Sequence, residues 1–210
     1  MALYIERLSA EHKQLVQDFV CAPKAFGADH LTEYIRVRAL DEQEKLSSAT
    51  FVLVNDDIPR IDAYVTLSTK AIPLPQGWRK RSNFPRGEVP AVIIGYVAVH
   101  ADAGKGLGLK ILGWVKAHAF ALNETVGVRV LFLEVQAGNW GAFQQYQIKW
   151  NFVPLPLKAT EQHPQGRKVD ASMKQAPDYV EEDELIGMYY DMYNEFGPFV
   201  PGLAREAIGD

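Results

Sequence analysis

Residues able to do chemistry concentrate in the middle of the chain. Gly104-Lys105-Gly106-Leu107-Gly108 sets three glycines at alternate positions after an apolar, β-branched run, Val92 to Val99. Apolar residues then recur at Leu107, Ile111, Val115, Ala119 and Leu122. A strand, a glycine-rich turn and a helix N-terminus in that order form an anion site. Amides without an intrahelical partner point into the turn, and glycines let a phosphate approach them. Glu134 stands in an otherwise apolar run, either in solvent at a strand end or lining a cleft, where it could act as a base through water. Asn139 stands where a helix should begin and could cap it. His100 directly follows the first apolar run and reads as a turn residue. Between Gln76 and Glu88, Trp78, Arg79, Lys80, Arg81, Phe84 and Arg86 interleave cations with aromatic rings. That pattern suits a phosphate backbone with unstacked bases, and it equally suits a solvated loop.

The elements that position these residues are legible from periodicity. Residues 3–7 (LYIER) predict a first strand. Ser9-Ala10-Glu11-His12 has the form of a capping box without its third-position acid, opening a helix through Phe19. A second helix is predicted over 28–45, with Leu31, Ile35, Ala39 and Leu46 on one side. Residues 49–54 and 61–68 read as a hairpin around Asn55-Asp56-Asp57. After the loop come the strand and helix described above, a strand over 129–136, a helix from Trp140 to about Lys149, and a strand over 152–157. A crossover helix on one sheet makes the two strands it joins parallel.

This order, an antiparallel first half followed by a βαβ unit, argues against an ordinary nucleotide-binding sheet. A dinucleotide fingerprint needs a third glycine where Leu109 stands, and an acid about 20 residues on, which falls near Val128, before the next strand begins. A P-loop needs Gly-Lys-Ser/Thr, which Gly108-Leu109-Lys110-Ile111 does not supply.

With the elements in place, the chain resembles the GCN5-related N-acetyltransferase superfamily. The match runs through Val97-Ala98-Val99, Ala103-Gly104-Lys105-Gly106-Leu107-Gly108, the Glu134 strand, Asn139-x-x-Ala142 and Tyr146, and covers roughly residues 3–157. The segments TFVLVNDDIPRIDAYVTLSTKAI and NFPRGEVPAVIIGYVAV are similar to the branch of bacterial toxin acetyltransferases that acetylate the amino acid on charged tRNA. The resemblance implies an α/β acyl-CoA N-acyltransferase fold, with a central mixed sheet and helices on both faces. It implies acetyl-CoA as acyl donor, held by the backbone of Val97, Ala98 and Val99, by Gly104, Lys105, Gly106, Leu107 and Gly108, and by Asn139. Tyr146 is implied as the acid that protonates the departing thiol, with Glu134 as candidate base and Arg79, Lys80, Arg81 and Arg86 as candidate acceptor contacts. Two departures stand out. Ala103 replaces the Arg or Gln that usually begins the loop, a loss Lys105 or Lys110 could offset. Tyr146 lies six residues before Phe152 rather than five, so Gln147 competes for the tyrosine position, and an extra helical residue such as a π-bulge would reconcile the two counts.

The expected activity is therefore acetyl transfer to a primary amine, the aminoacyl group of charged tRNA being the leading candidate. A small-molecule or protein amine is an alternative acceptor, and a non-catalytic acyl-CoA- or partner-binding protein is a reading of another class. The five histidines show no metal-ligand spacing, and the lone Cys21 forms no internal disulfide. No run reaches the ~18 apolar residues of a membrane span, and the N-terminus carries charges where a signal peptide needs an apolar core. A cytoplasmic chain is expected. Seven acids and no Lys or Arg lie within 178–195, and without them the chain carries 22 basic against 19 acidic residues, +3 rather than −4. Residues 158–210 are thus expected as an acidic extension of the 1–157 domain, an added helix or a disordered end. Acids alternating there with Met188, Tyr189, Tyr190, Met192 and Tyr193 suggest docking on this domain, on a second copy or on a protein partner.

Overall fold

A computed structural model describes residues 3–74, 77, 80, 87–157, 167–177 and 179–193. Seven strands form one sheet in the order β1-β2-β3-β4-β5-β7-β6. The described chain divides into two compact units, one of residues 3–69 with 93–125, the other drawn from 70–92 and 126–193.

In the first unit β1 (Leu3–Arg7) pairs antiparallel with β2 (Ala49–Asn55), which pairs antiparallel with β3 (Arg60–Pro73). The expected hairpin forms, and Asn55 Oδ1 accepts the Asp57 and Ile58 amides to close its turn. Its register slips between Leu53↔Ala63 and Val54↔Ile61, leaving Asp62 as an extra residue in β3. β4 (Glu88–Val99) follows. The short helices α1 (Lys13–Asp18) and α3 (Ala39–Glu44) contribute Val16 and Ala39, and the turn that joins α2 (Ala28–Glu33) to α3 contributes Ile35, to a core with Val52, Val54, Tyr64 and Ala98. The long helix α4 (Leu107–Leu122) lies on the other face, where Gly108 meets Val99 and Trp114 packs 4.7 Å from Phe51. Side chains alternate across a strand, so residues 98 and 99 serve opposite layers.

Three local expectations need correction. The capping box is complete, with histidine in the role of the missing acid: the Ser9 amide donates to His12 Nδ1 at 3.1 Å. His12 Nε2 is then the donor to Glu6 Oε1 at 2.9 Å. The 28–45 helix is interrupted by a π-turn over Tyr34–Arg38, and Leu46 is not on its apolar side but 84% exposed at φ 58°. The Leu46 and Ser47 amides return to the Gln43 and Glu42 carbonyls and close the helix there. The strand expected over 152–157 shrinks to β6 (Val153–Pro154), because Pro154 and Pro156 cannot donate to a ladder.

In the second unit β5 (Val130–Gln136) pairs antiparallel with β7 (Leu185–Asp191), and β7 pairs antiparallel with β6. Residues 185–191, expected as part of an added helix or disordered end, are therefore a sheet strand flanked on both sides. The acids around that strand are partly internal. Asp191 is buried and takes a two-point ion pair from Arg129, 2.9 Å from Nε and 3.0 Å from Nη2. Arg167 pairs with Glu184 at 2.7 Å. Helix α5 (Trp140–Trp150) buries Trp140 and Phe143, and Trp140 Nε1 donates to the Met173 carbonyl at 3.1 Å. No described helix is long and apolar enough to cross a membrane.

The Arg129–Asp191 pair ties the first residues of β5 to the last of β7. Asp191→Ala should lower stability by about 3 kcal/mol, since it strands a largely buried guanidinium. The apolar double variant Arg129→Met/Asp191→Leu should lose less. Urea midpoints at unchanged slope measure both.

Candidate functional site

The turn after β4 is built to be rigid. The peptide joining Val99 to His100 is held from both sides: its N–H donates to the Asp62 carbonyl at 2.8 Å, and its C=O accepts from the Ala22 amide at 3.0 Å. The Ala101 amide donates to the Val20 carbonyl, and that of Ala103 to the His100 carbonyl. His100 is buried with its ring edge on Phe19, and its Nδ1 accepts the Asp102 amide at 3.1 Å, which leaves the proton on Nε2. It is the turn residue the sequence suggests. The Asp62 side chain, 1% exposed, accepts from Arg60 Nε at 2.7 Å and Asn55 Nδ2 at 3.2 Å, and Arg60 Nη2 reaches the Asp102 carbonyl at 3.3 Å. The bulge residue thus braces the turn with both its backbone and its carboxylate.

From this turn the chain enters the glycine loop. Gly106 takes φ 87°, a left-handed conformation that a side chain disfavours, and N-caps α4. The first intrahelical bond runs from the Lys110 amide to the Gly106 carbonyl, so the amides of Leu107, Gly108 and Leu109 precede the ladder. Gly104 needs no positive φ, and a Cβ built there meets nothing within 4 Å. Position 104 therefore faces open space, which leaves room for a ligand lying over the loop. Lys105 and Lys110, near it in the chain, are exposed. Amides free of the ladder at a helix N-terminus are donors suited to a phosphate group.

Val97, Ala98 and Val99 lie at the end of β4. The amides of Tyr96 and His100 point toward β3, to Thr66 Oγ1 at 2.7 Å and to the Asp62 carbonyl. Alternation then turns the backbone groups of Val97 and Val99 to the opposite edge. On that edge the Val99 carbonyl is taken by the Ala22 amide. Gly95 is dictated by the same contact, since a Cβ there would lie 2.8 Å from Thr66 Oγ1. Sequence reading passed over it, as it passed over Tyr96, whose ring lies 4.1 Å from Tyr34 and edge-on to His30.

The remaining candidates belong to the second unit. Glu134 is exposed on β5 opposite Gly187, with apolar neighbours buried on either side. Asn139 occupies the N-cap position of α5, but its side chain makes no capping bond. Tyr146 is half-buried and edge-on to Phe152, and burial of its hydroxyl pushes the phenol up to about 12. No π-bulge accounts for the six-residue interval between Tyr146 and Phe152. Helix α5 is regular to Trp150, then Asn151 turns left-handed at φ 58° and the Phe152 amide returns to the Tyr146 carbonyl. Helix α5 thus holds no π-bulge and ends in a left-handed cap at Asn151. Gln147 Oε1 accepts the Ala171 amide at 2.8 Å, which gives that side chain a structural partner. Of the candidate acceptor contacts, Lys80 is exposed, and Arg79, Arg81 and Arg86 lie outside the described residues.

No protein-family model matches the chain. Several solved structures do. A tyrosine-to-phenylalanine variant of KacT matches at TM-score 0.66 and 18% identity, covering 95% of this chain and 100% of that one. AtaT complexed with acetyl-methionyl-tRNAfMet matches at 0.66 and 16%, covering 93% and 98%. AtaTR bound with acetyl-CoA matches at 0.61 and 17%, covering 91% and 94%. Together with the strand order and the glycine turn at the head of α4, these likenesses establish that the chain has the α/β fold of the GCN5-related N-acetyltransferases.

Proposed function

We propose that the chain is an acetyl-CoA-dependent N-acetyltransferase acting on a primary amine, with the aminoacyl group of charged tRNA as its acceptor. The observation that carries this reading is the open cradle at the head of α4, where the amides of Leu107, Gly108 and Leu109 precede the helical ladder and Gly104 faces open space. Two of the structures sharing the fold add support: AtaT is solved with acetyl-CoA and with an acetylated aminoacyl-tRNA.

Acetyl-CoA supplies an acyl thioester with a thiol leaving group. The cradle amides and Lys105 hold its pyrophosphate, and Val97 with the Val99 amide orients its arm as a neighbouring strand would. The amine attacks in its neutral form, which favours an α-amino group (pKa ~8) over lysine (~10.4) near neutral pH. Glu134, in solvent, takes the amine proton through water. As the C–N bond forms and the C–S bond breaks, Tyr146 gives its phenol proton to sulfur, and the proton leaving nitrogen balances the one sulfur gains. A phenol pushed up to about 12 is protonated at every working pH, so it serves as a donor and not as a base. Charged tRNA and acetyl-CoA place the reaction in the cytoplasm. Among the described residues, the exposed acids Glu181, Glu182 and Asp183 are what the acidic region leaves for a protein partner, and AtaT is solved with the C-terminus of the antitoxin AtaR.

Calorimetry with acetyl-CoA, followed by thiol release against an amine panel that includes charged tRNA, tests the reading. Binding without release on any acceptor would remove the enzyme, and no binding would remove the whole proposal. Gly104→Val should weaken acetyl-CoA binding at least ~10-fold, about 1.4 kcal/mol, with an unchanged melting temperature. Gly106→Val is a poorer probe, because forcing a side chain to positive φ costs roughly 1–2 kcal/mol of stability as well.

Tyr146→Phe should lower kcat by roughly 100-fold with little change in the acetyl-CoA KM. Because the phenol deprotonates only near 12, wild-type kcat should rise as the amine loses its proton and then stay level to about pH 11. An alkaline fall at pH 8 to 9 would exclude Tyr146 as the donor.

A further inference from the structure

Helix α5 is unevenly anchored. Its buried side chains, Trp140 and Phe143, both lie near its start, and from Gln144 to Trp150 every residue is at least partly exposed. Tyr146 stands in that second half. Apolar burial therefore holds the head of the helix more firmly than the part that carries the phenol.

Polar side chains supply the rest. Trp140, Gln144 and Gln147 follow at intervals of four and three and so share one helical face. All three bond to the main chain of a single turn, residues 171–173. Gln147 Oε1 accepts the Ala171 amide at 2.8 Å, and Gln144 Nε2 donates to the Ala171 carbonyl at 3.1 Å. Gln144 Nε2 also donates to the Met173 carbonyl at 3.0 Å, the same oxygen that takes Trp140 Nε1. Both polar groups of residue 171 are thus committed to α5. The turn has its own bracing: Asp170 Oδ1 accepts the Ser172 amide at 2.7 Å, and Val169 and Ala171 are buried. The same stretch of chain, before it enters β7, returns to the head of the helix, where the Glu184 and Glu182 carbonyls accept the Ala137 and Gly138 amides. Rotation of α5 about its own axis would swing the Tyr146 hydroxyl, and a reacting group misplaced by about 1 Å loses up to ~100-fold in rate. We propose that residues 170–173 clamp the second half of α5, and that Gln144 and Gln147 are positioning residues that aim the Tyr146 hydroxyl. The effect on rate rests on the acid role given to Tyr146 above; the clamp on the helix does not.

Steady-state kinetics and hydrogen exchange on the full chain test the two parts. Gln147→Leu removes the acceptor for the Ala171 amide and should lower kcat about tenfold with the acetyl-CoA KM within about twofold. Gln147→Glu, which still accepts an amide, should keep most of kcat. In the Tyr146→Phe background Gln147→Leu should cost nothing further, because a residue that works through the phenol has no effect once the phenol is gone. A residue that merely supports the fold would lower both backgrounds alike. Gln147→Leu should also speed exchange of the amides of residues 144–150 roughly tenfold, with those of α4 unchanged. Asp170→Ala, at an exposed position off the helix, should reproduce both effects, and it is the probe if Gln147→Leu fails to fold. Unchanged exchange over 144–150, unchanged kcat, or equal losses in the two backgrounds would each overturn the proposal. Full turnover by Tyr146→Phe would remove the acid role itself, and the aiming role with it, while faster exchange would still mark the clamp on α5.

Discussion

One peptide group, between Val99 and His100, fixes where the last strand of the first unit stops and the glycine loop starts. Its N–H and C=O are both committed, to Asp62 on one side and Ala22 on the other. Neither partner is close in sequence, and each is itself anchored. Asp62 sits at a bulge and holds Arg60 and Asn55, while Cys21, next to Ala22, donates its amide to Thr32 Oγ1 at 3.0 Å. The turn is held from two directions, while the space beside Gly104 stays open. The loop is open at Gly104 and Gly106, and the protein around it supplies the rigidity.

What periodicity encodes was readable in advance. The strands of the first half, the long helix with Ile111, Val115 and Ala119 buried, and the β5–α5 sequence all follow from local alternation or helical spacing. The glycine loop was readable for the same reason, since its signal is contiguous. The features missed depend on partners far along the chain. Gly95 looks like a flaw in a strand until Thr66 Oγ1 is placed 2.8 Å from its would-be Cβ. Asp62 looks like one polar residue in an alternating run until the slipped register makes it the extra one. His12 completes a capping box because its ring nitrogen can accept an amide as a carboxylate does, an equivalence that a residue-type pattern overlooks.

Charge misled most at the C-terminal end. Acids flanking Leu185–Asp191 gave that region the composition of a solvated tail, yet Ile186, Met188, Tyr189 and Tyr190 are buried, and two of the acids, Asp191 and Glu184, are matched by arginines. Composition averages over a window, whereas a strand is decided by which groups face inward. An acid at the end of an inner strand is compatible with burial when a guanidinium meets it at two points.

The position of β7 has a bearing on synthesis. Val130 pairs with Asp191, so β5 leaves the ribosome some sixty residues ahead of the end of its partner. Until Asp191 emerges, that flank of β5 is an unpaired apolar edge, the kind of surface that recruits chaperones or aggregates. Helix α5 is made in the interval but cannot settle against a finished layer. The half of the fold that carries Tyr146 therefore matures last, and a chain released early is left with an unfinished layer under Tyr146.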